Sequence, residues 1–265
     1  MGVITFLSDY GLDDEFVGVV HAVIARLAPD TRVIDLGHGV PRHDVRSGAL
    51  LLRDTLPYAP AGVHLAVVDP DVGAGRRAVA LRCDVEDRVL VGPDNGLLVL
   101  AAERFGGVVE AVEISHSPWR LEPVSATFHG RDLFAPVAAR LACGEAFGDA
   151  GDPLDPADLV GLSLPSARIE DGELVVHALT ADRFGNVLLD GSAELLGSVA
   201  RLGDIVEVAG RRARYVRTFA EVGEGELLVY EDARHNLALA VNRGSAADEL
   251  GLDMDAELRL RRADA

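Results

Sequence analysis

Short apolar runs alternate with amphipathic stretches over the first 150 residues of the chain. The apolar runs have the length and β-branched content of strands, and they read VITFLSD, RVIDL, VHLAVVD, AVALRC, RVLVGP and VVEAVEI. The amphipathic stretches have apolar residues at helical spacing, and they read DEFVGVVHAVIARLAP, DVRSGALLLRDTL, GLLVLAAERF and GRDLFAPVAARLAC. This alternation predicts an α/β domain over residues 1–150 with a mainly parallel central sheet.

A different pattern follows GDAGDPLDPADLVGLSLPS, a stretch rich in Gly, Pro and Asp whose composition predicts a linker over residues 151–168. Beyond it, apolar and polar positions alternate between turn residues in ELVVHALTADRFGNVLLD, DIVEVAG, RARYVRTF, ELLVYED and NLALAVN. The pattern predicts a smaller antiparallel, barrel-like β domain over residues 169–265.

The charge balance narrows the range of partners. Acidic residues number 43 against 25 basic ones, for a formal net charge of −18, which argues against nucleic acid or an anionic membrane as a partner. The sequence contains no lysine, so Schiff-base chemistry is excluded and arginine supplies every cationic side chain. Cys83 and Cys143 form no metal or redox motif. With no signal peptide and no apolar run long enough to cross a bilayer, the chain is expected to be soluble and cytoplasmic.

The first candidate site lies in VVDPDVGAGRR. Asp69 comes directly after a buried strand, and the glycine-containing turn that follows allows an arginine to fold back onto its carboxylate. An Arg76 guanidinium there would orient Asp69 and keep it ionised. A purely structural ion pair that closes the turn explains the same pattern equally well.

Other candidates lie at the ends of further predicted elements. His129 and Gly130 in TFHGRDLFAP stand where a helix begins, so backbone N–H groups there would favour an oxygen nucleophile. Asp9 and Asn95 each follow a strand, and a carboxylate in the position of Asp9 suits the hydroxyls of a ribose.

The segment TADRFGNVLLD in the second domain places Asp182, Phe184 and Asn186 at alternate positions, and hence on one face if the segment is extended. Such a face would suit a ligand. The acid would bind an ammonium group, the aromatic ring would pack on a flat ligand and the amide would bind a purine edge. A polar strand edge with one packed phenylalanine is the alternative.

Six motifs, FLSDYG, VVDPDVGAGRR, GPDNGLL, FHGRDLFAP, DRFGN and LALAVNRGSAA, stand in the order found in the S-adenosylmethionine hydrolase (adenosine-forming) family. The chain resembles that family, the SAM hydroxide adenosyltransferases, over nearly its whole length. The family is related to the fluorinase and the chlorinase. The resemblance implies that water attacks the ribose C5′ of S-adenosylmethionine and releases adenosine and L-methionine, with no cofactor and no metal.

The resemblance also implies roles for individual residues. The Asp, Arg and His signature of the hydrolases corresponds to Asp69, Arg76 and His129 as catalytic residues. The implied substrate-binding residues are Asp9 for the ribose hydroxyls, Asp182 for the methionine ammonium, Asn186 for the adenine edge, Phe184 near the substrate and Arg234 for the methionine carboxylate, together with Asn95 and Gly130. Because the family is trimeric, a homotrimer is expected, with the substrate between the α/β domain of one subunit and the β domain of its neighbour.

Three alternatives to a metal-free S-adenosylmethionine hydrolase belong to different classes. In a 5′-halogenase the position of Asp69 is usually tyrosine and an extra loop is present in the fluorinase, so the residues here favour water over halide. A non-catalytic sensor of S-adenosylmethionine or adenosine has no need of the Asp69, Arg76 and His129 set. A metal-dependent hydrolase with Asp9, Asp69, His129 and Asp132 as ligands lacks the usual ligand spacing, and nearby arginines would repel a cation.

Overall fold

The predicted alternation of strands and helices is present in the computed structural model, which describes residues 2–263 and divides into two compact units between Leu162 and Ser163. The strands of the first unit are β1 (Val3–Ser8), β2 (Arg32–Gly37), β3 (Val63–Val67), β4 (Ala78–Cys83), β5 (Val89–Pro93), β6 (Val108–Glu113) and β7 (Asp152–Leu154). Its helices are α1 (Phe16–Leu27), α2 (Val45–Thr55), α3 (Val99–Arg104) and α4 (Ala135–Ala142). The predicted α/β fold class is therefore confirmed for this unit.

The seven strands form one sheet in the order β2-β1-β3-β5-β4-β6-β7. Strands β2, β1, β3 and β5 pair parallel with one another, whereas β4 pairs antiparallel with both β5 and β6, and β7 pairs antiparallel with β6. The change of direction has a simple cause. The connection from β4 to β5 is a short hairpin without the crossover helix that parallel strands require. The sheet is therefore mixed, and its parallel half contains the carboxyl ends of β1 and β3.

Helices α1 and α4 cover one face of this sheet. Their apolar residues pack with those of β1 and β3 in one continuous core that includes Ile4, Phe6, Val20, Leu65 and Phe134, all of them essentially inaccessible to solvent. Asp44 caps the N-terminus of α2 by accepting a hydrogen bond from the Ser47 N–H at 2.9 Å.

Part of the stretch predicted as a linker is regular structure that belongs to the first unit. Strand β7 pairs with β6, and the backbone N–H of Val160 donates to Asp94 Oδ1 at 2.9 Å. The division between the units falls inside this stretch, after Leu162.

A π-helical segment, Gly130–Phe134, leads directly into α4. Its wider turn has a local cause, because Pro136 has no N–H to donate to the carbonyl of Asp132. That carbonyl accepts instead from the N–H of Leu121 at 2.7 Å. π-helical turns are frequently found at functional sites.

The second unit contains strands β8 (Arg168–Glu170), β9 (Glu173–Ala181), β10 (Val187–Leu189), β11 (Ile205–Val208), β12 (Arg211–Tyr215), β13 (Leu227–Glu231), β14 (Leu237–Val241) and β15 (Glu257–Arg262), with short helices α5 (Ala193–Gly197) and α6 (Ala246–Leu250). The strand order is β10-β14-β13-β12-β11-β15-β9-β8, and a further pairing of β10 with β9 closes seven of the strands into a barrel. This confirms the predicted barrel-like β domain. All pairs are antiparallel except β12 and β13, which are joined by a longer connection.

Strand β9 makes the closure possible. Its first half, Leu174–His177, pairs with β15, and its second half, Ala178–Ala181, pairs with β10. Apolar side chains from the strands fill the interior, including Leu174, Leu189 and Leu239. In the part of the chain that the structure describes, every helix is too short or too polar to cross a lipid bilayer.

Candidate active site

Asp69 and Arg76 form a bidentate ion pair just beyond the carboxyl end of β3. Arg76 Nε donates to Asp69 Oδ1 at 2.8 Å and Arg76 Nη2 donates to Asp69 Oδ2. The Asp69 side chain is only 5% exposed and that of Arg76 only 8%, so solvent screens the pair weakly. The structure therefore has the arginine folded back onto the carboxylate, in the geometry that fixes both groups most firmly.

The turn between the two residues depends on Gly73. This residue has φ +78°, and a Cβ built on it would lie 2.3 Å from the carbonyl oxygen of Ala126. A glycine is required here on both grounds, conformation and space. The close approach joins the turn that carries Arg76 to the segment that leads to His129.

His129 completes a hydrogen-bonded chain of three side chains. Its Nδ1 lies 2.9 Å from Arg76 Nη2. Because a guanidinium can only donate, Nδ1 is the acceptor, and the neutral imidazole carries its proton on Nε2. Burial, followed by the charge of Arg76, holds the pKa of His129 below its ordinary value, against smaller opposing effects of Asp69 and Asp132. His129 is thus an uncharged donor at neutral pH, and Arg76 connects it to Asp69.

Tyr10 is a neighbour that the sequence analysis missed. A Cβ built on Gly130 would lie 2.2 Å from the Tyr10 hydroxyl, so the phenol lies directly over the first residue of the π-helical segment. Its ring packs between Phe16 and Phe128, with centroids at 5.6 Å and 5.9 Å. Burial, followed by the charges of Asp9 and Asp69, raises the pKa of Tyr10 well above its ordinary value. The phenol is therefore neutral, and an aromatic residue directly after Asp9 was the available signal.

Asp9 and Asn95 are both held by the backbone near the end of β3. Asp9 Oδ2 accepts from the N–H of His43 at 3.0 Å, which joins the first loop to the one after β2. Asn95 Nδ2 donates to the carbonyl of Val68 at 2.9 Å, and its Oδ1 accepts from the N–H of Leu97 at 3.2 Å. Asn95 therefore positions the backbone next to Asp69, and its predicted contact with substrate stays a prediction.

Two further arginines of these motifs form ion pairs away from Asp69. Arg77 donates through Nε to Asp94 Oδ2 at 2.8 Å. Arg131 forms a bidentate pair with the buried Asp132, whose Oδ2 also accepts from the N–H of Ser125 at 2.8 Å. Although burial opposes ionisation, these hydrogen bonds lower the pKa of Asp132. Asp69 and Asp132 are thus each paired with an arginine, an arrangement that disfavours metal ligation by this group.

In the second unit, Asp182, Phe184 and Asn186 lie in one turn and not along an extended strand. Asp182 Oδ1 accepts from the backbone N–H groups of Phe184 at 2.8 Å and Asn186 at 3.0 Å, while Gly185 has φ +79°. The expected single face of an extended segment is wrong, because the Asp182 carboxylate closes the hairpin between β9 and β10. Phe184 projects from this turn with 71% of its surface exposed.

Arg234 lies in a second turn built in the same way, between β13 and β14. Asp232 Oδ1 accepts from the backbone N–H groups of Arg234 at 2.9 Å and Asn236 at 3.0 Å, and His235 has φ +65°. Tyr230, which the sequence analysis missed, interacts electrostatically with both turns. Burial, followed by Asp182 and Asp232, raises the pKa of its phenol to about 12, against an opposing effect of Arg234.

Each of the two units matches a family of known proteins. Residues 4–151 match the SAM hydroxide adenosyltransferase N-terminal domain, and residues 176–259 match the corresponding C-terminal domain. The chain is 51% identical to an (R)-S-adenosyl-L-methionine hydrolase of Salinispora tropica, with 97% of each chain covered. It is 43% identical to the protein of that name from Thermus thermophilus, over 98% of this chain and 100% of the relative.

A solved structure of an uncharacterized conserved protein from Thermotoga maritima superposes with a TM-score of 0.88 at 36% identity, covering 98% of this chain and 100% of that one. The identity to a fluorinase of an Actinoplanes species is lower, 26% over 92% of both chains. Both halves of the chain, with the motifs that carry the Asp69, Arg76 and His129 group and the two hairpin turns, therefore place the protein in the SAM hydroxide adenosyltransferase family.

Proposed function

We propose that the protein hydrolyses S-adenosyl-L-methionine to adenosine and L-methionine, and that Asp69, Arg76 and His129 carry the reaction. The observation that carries the proposal is the hydrogen-bonded chain from Asp69 through Arg76 to His129. The hydrolases of Salinispora tropica and Thermus thermophilus support the reaction assigned to it.

The chemistry requires little from the protein beyond position and one base. Water forms a new bond to C5′, the C5′–S bond breaks with its electron pair going to sulfur, and methionine leaves as a neutral thioether that needs no proton. Water must give up one proton, so one base suffices. Alignment of water, C5′ and sulfur lowers the activation barrier more than the base does. Orientation is worth about 7–11 kcal/mol of the barrier, whereas a general base raises the rate by about 10²–10⁴-fold.

We propose Asp69 as the base, and its contacts support this role. Each of its oxygens accepts one hydrogen bond from Arg76 and retains a lone pair for water. The acceptor nitrogen of His129 is already occupied by Arg76, so His129 would first have to lose that contact before taking a proton. In this proposal His129 Nε2–H donates to an oxygen in the site, and Arg76 holds both partners in place.

The substrate is a small molecule held by groups from both units. Asp9 would bind the ribose hydroxyls next to Asn95 and Gly130. The two hairpin turns would contribute Asp182, Phe184 and Asn186 from the first, with Arg234 from the second. These roles rest on the family resemblance, as does the proposed homotrimer with the substrate between neighbouring subunits. A cytoplasmic location stays a prediction.

The test is turnover in ¹⁸O-labelled water with mass analysis of the adenosine. Hydrolysis at C5′ requires one labelled oxygen at the 5′ position. A parallel reaction with chloride distinguishes the halogenase alternative, since that activity would give 5′-chloro-5′-deoxyadenosine. Unlabelled adenosine, or binding without any product, would falsify the proposal.

A further inference from the structure

Two histidines and one aspartate converge at the edge of the first sheet, away from Asp69. His21 lies on α1, Asp35 lies in the edge strand β2, and His38 follows β2 directly. His21 Nε2 lies 2.8 Å and His38 Nε2 lies 3.1 Å from the same oxygen, Asp35 Oδ1. Their three ligand atoms all lie within 4.8 Å of one another, which no other set of three such groups achieves among residues 2–263.

The ring of His38 is buried, and one of its nitrogens is unsatisfied. The side chain is only 3% exposed, and Nε2 makes no hydrogen bond although Asp35 Oδ1 is near. An unsatisfied buried nitrogen is unfavourable, because it loses its hydrogen bond to water without a replacement. A bound cation in front of Nε2 would satisfy the nitrogen and the carboxylate together.

The His38 ring has the contacts that a metal-binding histidine usually has. Ser8 Oγ lies 2.8 Å from its Nδ1, and the buried Phe6 ring packs against it with a centroid separation of 4.6 Å. Metal-binding histidines almost always have such a partner on the second ring nitrogen, which fixes the orientation of the ring. His21 and Asp35 are 34% and 43% exposed, so an ion has a path from solvent.

We propose that His21, Asp35 and His38 bind a divalent transition-metal ion, with zinc as the best match. Two imidazoles and one carboxylate are ligands that zinc prefers, and three protein ligands leave the fourth position to water. Metal–ligand bonds of about 2.0–2.2 Å place tetrahedral ligands about 3.3–3.6 Å apart. The present 2.8 Å and 3.1 Å separations therefore need to open only slightly, and the half-exposed His21 is free to make that adjustment.

The site would stabilise the loop next to the proposed active site without entering the reaction. The carbonyl of His38 accepts from the N–H of Gly11 at 2.7 Å, and Ser8 Oγ accepts from the N–H of Tyr10 at 3.3 Å. Asp9 lies between these contacts. An ion on His38 would thus restrain both ends of the loop that carries Asp9.

The experiment is metal titration of the full chain after dialysis against chelator, followed by calorimetry with Zn²⁺ and absorption spectroscopy with Co²⁺. The expected result is one equivalent per chain and a Co²⁺ visible spectrum of four-coordinate type. His21→Gln and Asp35→Asn should each weaken binding at least tenfold. Ser8→Ala should weaken it about 10- to 100-fold, because it removes the partner of a ligand.

His235→Gln is the matched control. His235 Nδ1 lies 2.6 Å from Glu231 Oε1, so this variant removes a histidine–carboxylate pair that lacks a second histidine. It should bind as the parent chain does. The absence of stoichiometric binding, or equal binding in all variants, overturns the proposal. His21 is a surface residue, so its variant decides the question even if changes at buried positions impair folding, and the readout does not depend on hydrolysis.

Discussion

Arg76 contacts more of the proposed catalytic group than any of its other members. It donates to Asp69 and to His129, and its guanidinium lies 5.2 Å from the centre of the buried Phe134 ring. A planar cation with donors in fixed directions makes all these contacts at once. The position of the base and the tautomer of the histidine both follow from this one side chain.

Arg76→Lys should lower kcat by about 10²–10³-fold, because an ammonium keeps the charge but cannot hold Asp69 at two points and reach His129 as well. Steady-state assays of adenosine release measure the effect. Arg77→Lys is the control, since Arg77 pairs with Asp94 and not with Asp69. Equal activity of the two variants would contradict the role given to Arg76.

The pH dependence of the hydrolysis rate should show that His129 acts as a neutral hydrogen-bond donor. Its folded-state pKa is depressed, so it stays neutral down to pH values below its ordinary 6.5 and acquires a proton only there. A protonated imidazole cannot accept from Arg76, and we therefore expect activity to fall only at a pH lower than the ordinary histidine value of about 6.5, where His129 takes up its proton. His129→Gln should remove this acid limb while leaving measurable turnover. A pH–rate profile that retains the limb in His129→Gln contradicts the assignment.

At the scale of elements, two short segments bring the catalytic group together. The turn after β3 carries Arg76, and the π-helical segment before α4 begins directly after His129. They approach each other where Gly73 meets Ala126. The arrangement therefore depends on backbone proximity as well as on side-chain contacts.

Gly73→Ala should destabilise the protein by about 1–3 kcal/mol and lower activity, because the new Cβ would overlap the Ala126 carbonyl at a strained φ. Gly75→Ala offers a control two residues away, where a Cβ would meet nothing within 4 Å. It should change stability by no more than about 0.5 kcal/mol. Urea unfolding of both variants measures the difference, and similar values for the two would refute the requirement for glycine.

Periodicity in the sequence predicted most of these elements but not their pairing. The runs that became β1 and β3 are strands buried throughout apart from the first residue of β1, as an apolar run indicates directly. The antiparallel half of the sheet and the barrel closure by β9 depend on contacts between distant segments, which periodicity does not report. The π-helical turn was missed because it arises from Pro136 together with a hydrogen bond from Leu121.

The sequence likewise indicated only some of the residues of the candidate site. Asp69, Arg76 and His129 could be selected because charged residues beside glycine follow strands or precede a helix. Tyr10 gave only the weak signal of an aromatic residue after Asp9 and Tyr230 gave none, since their importance lies in which charges surround them in three dimensions. The extended conformation expected for Asp182–Asn186 failed because the carboxylate bonds its own backbone.

For the whole molecule, the stability of the first unit against acid depends on a buried histidine outside the proposed site. His64 in β3 lies 2.8 Å from Thr5 Oγ1 and accepts from Arg88 Nη1 at 3.1 Å. Burial, followed by the charge of Arg88, lowers its pKa to about 3. Folding therefore requires the neutral ring, and protonation favours the unfolded chain.

The free energy of unfolding should consequently fall between pH 6.5 and about 3, by up to about 1.4 kcal/mol per pH unit from this group. The contribution is complete above the unfolded pKa of about 6.5 and is lost toward the folded value. His64→Gln should remove about one proton from the number taken up on unfolding, and so reduce the slope of the unfolding free energy against pH. Urea unfolding at several pH values measures this slope. The exposed His116 provides the control as His116→Gln, and an unchanged slope in His64→Gln would contradict the prediction.

The proposed homotrimer predicts complementation between inactive variants. One variant carries Asp69→Asn, and the other carries Asn186→Ala with Arg234→Ala. If each site combines the α/β domain of one subunit with the β domain of its neighbour, one site in three is intact in every mixed trimer, and a randomly assembled co-expressed population regains about a quarter of the parent activity. Assays of co-purified chains measure this, and a mixture no more active than its components argues for sites within single subunits.

The two hairpin turns at 182–186 and 232–236 share one backbone frame, fixed in each by an aspartate at the first position that accepts hydrogen bonds from the backbone N–H groups of the third and last positions. The frame needs a backbone N–H at the third position but no particular side chain at the second or third, where Arg183 and Phe184 stand in one turn and Ala233 and Arg234 in the other. Substitutions other than proline there leave these hydrogen bonds intact. Single substitutions at these positions can therefore change which ligand groups the two turns bind, while the barrel keeps its structure.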